Sequence, residues 1–141
     1  MQNMHPPRRS SLLKERHFWV LREIIDTIEV PRPNVTHTQA FEKHVGWDGD
    51  FADASVAVDL VWQDDRVIKA RTSLGAVAPL PARAKSAERA FAGSRLTDFA
   101  VRTAAEMVIA GVLPLSDNGY KFNLIVNLTE RTLRKNRDQR A

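Results

Sequence analysis

The chain changes its hydrophobic period once, at a pair of prolines, and that single change constrains its fold more than any other feature. Before Pro79 and Pro81, apolar residues alternate: Val56, Val58, Leu60 and Trp62 share one face of an extended run over Ala54–Trp62, with Asp59 on the other. Gln63-Asp64-Asp65-Arg66 follows as a turn, because Asp tolerates tight backbone geometry. Val67–Val77 then reads as the returning strand of a hairpin, with Gly75 marking a bend or a close backbone approach. After the prolines the composition becomes that of helices. Ala82–Ala92 is rich in Ala with interspersed Arg, Lys and Glu, with Pro81 suited to its first turn and Gly93 to its stop. Thr97 can cap a second helix over Asp98–Val112, with Phe99, Val101, Ala105, Val108 and Ile109 as apolar stripes and Pro114 beyond it. Ser116 or Asp117 can cap a third over Tyr120–Asn136, in which Tyr120, Leu124 and Leu128 fall at i, i+4 and i+8.

Upstream, Leu21–Val30 reads as a helical turn running into a strand, Pro31–Asn34 as a connector, Val35–Lys43 as a further strand and Gly46–Asp50 as a loop. Strands first and helices after argue for an α+β class, a small antiparallel β-sheet packed on one face against a three-helix bundle. The chain has 141 residues, enough for one core and not two. We expect a mobile segment over 1–20, one domain over 21–136 and a basic tail over 137–141.

Composition excludes several chemistries. There is no Cys, so this chain offers no disulfide, thiolate zinc or iron–sulfur ligation. No apolar run approaches the ~20 residues of a membrane-spanning helix, and a cytoplasmic location with no membrane partner is expected. His5, His17, His37 and His44 form no metal-binding spacing, so neither a metal site nor a catalytic residue is assigned. Asp48, Asp50 and Asp53 cluster around Gly49, a pattern that serves turns more often than acid–base work. None of the six glycines forms a phosphate-cradling motif. Net charge is +4, and Arg131, Arg134, Lys135, Arg137 and Arg140 crowd the end. Without the aromatic or glycine pattern of a nucleic-acid module, those cations read as a solvated helix end suited to the C-terminal dipole, and no nucleic-acid partner is expected. Phe41 and Trp47 flank a corner holding Lys43, a set that core packing or a flat anionic cofactor could use.

Arg71–Gly93 resembles the SLGGVAPTPxRAxxAExxLxG segment of the C-terminal domain in flavin subunits of molybdenum hydroxylases, the family of carbon monoxide and xanthine dehydrogenases. Leu21–Pro31 resembles that family's GEIITxIxIP run. Phe41-Glu-Lys43 resembles its Y-x-K, Asp50–Ala57 its D-[FL]-A-x-x-S-V-A, and Gly119-Tyr-Lys121 the Tyr-Arg pair opening the last helix. The likeness covers about residues 21–135. It implies a domain that lies like a lid over the isoalloxazine side of an FAD seated mainly in preceding subdomains, with Lys43 and Asp50 beside the flavin; Trp47, from the aromatic corner, is the third cofactor-facing candidate. It further implies a molybdenum–pterin large subunit, a small subunit with [2Fe–2S] clusters, and a separate FAD-binding domain as partners. Gly46 and Trp47 stand where the family usually has basic residues, and the D-x-R-G-S-x-x-Y-R stretch is shortened to Asp117–Lys121. The Gly-rich pyrophosphate loops of the family's N-terminal domain have no counterpart here, so free FAD is expected to bind this chain poorly. A scaffold or interaction domain that has lost flavin chemistry is the alternative.

Overall fold

The computed structural model describes Ile24, residues 26–30, Arg32, and residues 36–113 and 116–140. Residues Met1–Pro31 form a unit separate from Arg32–Ala141. In the first unit, residues 26–30 take neither helix nor strand, and Ile24, Ile28 and Val30 are exposed. The turn-into-strand expected at Leu21–Val30 is therefore absent from its described part, and the segment 1–20 lies outside the described residues.

The second unit holds a four-stranded antiparallel sheet in the order β1-β2-β3-β4. Its strands are β1 (His37–His44), β2 (Ala54–Gln63), β3 (Arg66–Gly75) and β4 (Ala82–Arg83). Three helices follow: α1 (Lys85–Phe91), α2 (Asp98–Met107) and α3 (Tyr120–Asp138). The α+β class is as expected. Helix α3 lies over β1 and β2, α1 over β3, and α2 packs against both helices.

Alternation along β2 sorts the sheet into a covered and an open face. Val56, Val58, Leu60 and Trp62 point into the core, as expected, and meet Phe91, Val101, Leu128 and Leu133 from the helices. The register shifts between Val61 and Trp62, whose partners are Lys69 and Val67. Ile68 is the extra residue of this bulge, which lets both Val67 and Ala70 face the core. Asp64 turns the hairpin at φ 51°, a left-handed conformation that Asp accepts more readily than most residues. At Gly75 a Cβ would collide with the Ser55 hydroxyl, so the close-approach reading of this glycine holds.

The structure corrects several details. The first helix starts at Lys85 rather than Ala82, because Ala82 and Arg83 pair with Leu74 and Ser73 as a short edge strand. Tertiary pairing overrides helix propensity there. Helix α2 stops at Met107, and the chain loosens into i→i+3 turns (Ala110 N–H to Met107 O at 3.2 Å, Val112 N–H to Ile109 O at 3.1 Å) before Gly111 at φ 78°. Its Phe99 is exposed, unlike Val101 and Ala105. Helix α3 starts after Gly119 with no side-chain cap, since the Ser116 hydroxyl donates to Asp117 instead. Its buried stripe is Ile125, Leu128, Thr129, Thr132, Leu133 and Asn136, which leaves Tyr120 exposed. Thr129 and Thr132 satisfy their hydroxyls on Ile125 O (2.7 Å) and Leu128 O (2.6 Å), so polar residues sit buried on this face.

The family-like segment Arg71–Gly93 is largely a structural device. The Arg83 guanidinium grips the Glu88 carboxylate with two bonds of 2.7 Å, and the Thr72 N–H donates to the same carboxylate at 2.8 Å. One side chain thus ties β3, β4 and α1. Burial pushes the Glu88 carboxyl up; the bonds from Arg83 and Thr72 and the charges of Arg83 and Lys85 outweigh it, and the group is held below its usual range. Gly93, at φ 80°, stops α1 and gives its N–H to Val67 O at 2.6 Å.

Candidate functional site

Among the described residues no helix covers the other face of the sheet, and its residues are set by the same alternation. Lys43 stands opposite Ser55, Phe41 opposite Ala57, and Gln39 opposite Asp59. Across the next ladder, Ser55 meets Gly75, Ala57 meets Ser73, and Asp59 meets Arg71. The middle of this face is therefore a platform of small side chains, Ser55, Ala57, Ser73 and Gly75. Phe41, 56% exposed, borders it, and a shallow concavity of about 370 Å³ lies among Gln39, Phe41, Ala57, Asp59 and Ser73. A flat surface with one aromatic wall suits a planar ring.

Lys43 follows Phe41 at i+2, so both side chains leave the same face of β1, about 7 Å apart along the strand. Lys43 is exposed and carries no ion pair among the described residues. Trp47 and Asp50 lie instead in the loop leading from β1 to β2. There the Asp50 N–H donates to Trp47 O at 3.2 Å, the Asp50 carboxylate accepts the Phe51 N–H at 2.7 Å, and the Asp53 N–H returns to His44 O at 2.9 Å. The loop is thus pinned at the Lys43 end of the sheet. Trp47 is 68% and Phe51 94% exposed. Of the three residues singled out from sequence, the structure joins Trp47 and Asp50 in one turn and places Lys43 next to it on β1, with no side-chain bond between Lys43 and either. The sequence reading had Phe41 beside Lys43 at an aromatic corner but missed the small-residue platform, whose members come from two strands.

The polar half of the open face is also organised. The Asp59 carboxylate takes His37 Nδ1 at 2.9 Å and Gln39 Nε2 at 3.3 Å, with Arg71 opposite it. On the covered side, the end of α3 is bound by ion pairs. Arg131 and Lys135 reach Glu42 at 3.2 and 3.0 Å, and Arg137 reaches Asp98 at 2.9 Å. Arg134 also bonds Asp98, and hydrogen bonds first from Arg137 and then from Arg134 hold the Asp98 carboxyl below its usual range. Much of the basic charge near the end of the sequence is therefore matched within the fold. Among the described residues no group of three or more His, Cys, Asp or Glu could hold a metal ion, and no helix is long and apolar enough to cross a membrane.

Comparison with known proteins agrees with this architecture. Residues 39–136 match the family profile of the CO dehydrogenase flavoprotein C-terminal domain. Quinoline 2-oxidoreductase from Pseudomonas putida 86 is similar in structure over 78% of this chain and 39% of its own, with 27% identity and a TM-score of 0.70. A carbon monoxide dehydrogenase from Hydrogenophaga pseudoflava, in a form lacking the Mo-pyranopterin moiety of its molybdenum cofactor, is 32% identical with a TM-score of 0.69, over 76% of this chain and 39% of its own. Reconstituted CO dehydrogenase from Oligotropha carboxidovorans gives 26% and 0.68, over 77% and 40%. The chain thus spans about two fifths of the length of the chains it resembles. None of the curated proteins compared by sequence matches. By profile and by fold, the chain belongs to the CO dehydrogenase flavoprotein C-terminal domain family, the C-terminal domain of the FAD-binding subunits of molybdenum hydroxylases.

Proposed function

We propose that the open face of the sheet covers one side of the flavin ring of an FAD held by a separate flavin-binding domain, within a molybdenum hydroxylase complex. The single observation that carries this reading is the position of exposed Phe41 next to Lys43, which has no ion pair among the described residues, beside a platform of small residues. FAD, when bound, supplies the two-electron carrier. The residues of this chain bind and tune: Phe41 offers a face for stacking, and the small side chains permit close approach. The Lys43 ammonium favours negative charge that develops beside it, which raises the affinity of the site for electrons. Trp47 and Asp50 border the ring from the loop, with the Asp50 carboxylate fixing the turn through Phe51 N–H.

Among the described residues no glycine-rich loop opens a helix, so the pyrophosphate needs a seat outside them. The fit is therefore to a ring edge and not to the whole dinucleotide. A molybdenum-bearing large subunit and an iron–sulfur small subunit complete the electron path in this reading, and the location is cytoplasmic. A scaffold role without flavin is the second reading. It is favoured by the exposed Phe51 and Trp47, which can serve protein contact as readily as a cofactor.

Purification of the tagged chain from its own host distinguishes the two. Flavin and iron–sulfur absorption bands, with a molybdenum subunit travelling alongside, are the expected result. A stable homo-oligomer free of all three overturns the flavin reading.

A further inference from the structure

A second concavity lies about 23 Å along β2 from the Lys43 end, counted from Ser55 to Trp62, and opens on the covered side of the sheet. It measures about 380 Å³ and gathers three arginines, Arg95, Arg137 and Arg140, around Trp62 and Leu96. The sequence reading left Arg137 and Arg140 as a solvated tail and did not consider Arg95. In the structure each guanidinium is held by a different partner. Arg95 is paired with Asp65, and its backbone bridges to Arg66. Arg137 is bonded to Asp98 at 2.9 Å. The Arg140 guanidinium sits 4.7 Å above the centre of the Trp62 ring and has no carboxylate partner among the described residues. Trp62 is itself locked, since its indole N–H donates to the Thr38 hydroxyl at 2.8 Å.

Fixed guanidinium groups are planar forks suited to phosphate oxygens, and they remain charged at any ordinary pH. Asp65 offsets Arg95, and Asp98 with Asp138 offsets Arg137, so Arg140 is the one of the three without a carboxylate partner among the described residues; the paired guanidiniums keep free N–H groups that can also meet phosphate oxygens. The base is apolar and aromatic, which suits a planar body attached to the phosphate. At this volume the site accommodates a mononucleotide-sized molecule at the small end of ligand pockets, and not a dinucleotide.

We propose that this concavity binds a nucleoside monophosphate, with the phosphate among Arg95, Arg137 and Arg140 and the base against the Trp62–Arg140 stack. The site is separate from the flavin-facing surface and on the opposite side of the sheet, so it stands or falls independently of that reading.

The test is titration of the full chain with adenosine monophosphate, followed by calorimetry and by the Trp62 indole resonance in a proton–nitrogen correlation spectrum. We expect one saturable site that weakens with salt and shifts the Trp62 signal. Adenosine and inorganic phosphate alone should each bind at least about tenfold more weakly, since each lacks half of the contacts. Arg140→Ala and Arg95→Ala, both at exposed positions, should each weaken binding by about tenfold or more, while Lys135→Ala, whose ammonium pairs with Glu42 away from the concavity, should not. Circular dichroism of each variant separates loss of binding from loss of fold. No saturation at millimolar nucleotide, binding indifferent to the arginine variants, or tighter binding of an acidic peptide at the same resonances would each overturn the proposal.

Discussion

Val58 and Ala57 are neighbours on β2, yet Val58 is 2% exposed beneath α3 while Ala57 faces solvent on a platform of small side chains. The two faces of this sheet obey opposite rules. On the covered face the side chains of β2 and β3 pack against the helices, Thr72 included, and the chain's stability resides there. On the open face small residues leave a flat surface that nothing in the described chain covers, although the hydrogen-bonded ladder beneath it is the same.

Truncations at matched positions are the most forceful way to break that comparison. Leu60→Ala on the covered face should cost about 2–5 kcal/mol in urea unfolding, because Leu60 is fully buried in the core cluster. Phe41→Ala on the open face should move stability by no more than about 0.5 kcal/mol. Equal losses would show that the open face is not free.

Glu88→Ala comes next, since it strands the Thr72 N–H and releases Arg83. The expected loss is about 1–3 kcal/mol. Its pH dependence has a definite sign. The folded carboxyl lies below its ordinary value of 4.5, so its contribution is complete above that value and fades as pH falls through the lower folded value. Unfolding curves of the wild type and Glu88→Gln should therefore converge in acid. A gap that widens in acid would contradict the bidentate pair.

A smaller effect sharpens the boundary between the faces. Ala76 follows β3 at φ 59°, where the family-like segment has a second glycine, and a left-handed alanine costs about 1–2 kcal/mol. Ala76→Gly should raise stability by up to that amount, less the added chain entropy of glycine in the unfolded state, as read from the urea midpoint. A lower midpoint would mean that the methyl group makes contacts worth more than the strain.

The periodicity of β2 and β3 was legible because a sheet with one buried face must alternate, and Val56, Val58, Leu60 and Trp62 do. The edge strand Ala82–Arg83 was hidden, for its Ala-rich context favours helix and only the Arg83–Glu88 pair and the β3 ladder make it a strand. The face of α3 was read only in part: Leu124 and Leu128 pack on the core and Tyr120 does not, and the rest of the stripe is polar by residue type. Thr129, Thr132 and Asn136 look solvent-facing by residue type, but the two hydroxyls and the Asn136 Nδ2 donate within the helix or, for Asn136, also to Val58 O, and all three sit buried, with the Asn136 Oδ1 left without a partner among the described residues. Lys43, Trp47 and Asp50 came from resemblance, and local hydrogen bonding explains the position of the latter two. The arginine-lined concavity had no local signal at all, since Trp62, Arg95 and Arg140 meet only in the folded chain.

The flavin-covering claim is tested most directly by the midpoint potential of FAD in a complex of this chain with an FAD-loaded flavin-binding domain, wild type against Lys43→Met. Removal of a neighbouring cation should lower the two-electron potential by roughly 20–40 mV. An unchanged potential in a complex that still forms would place Lys43, and with it the open face, away from the flavin.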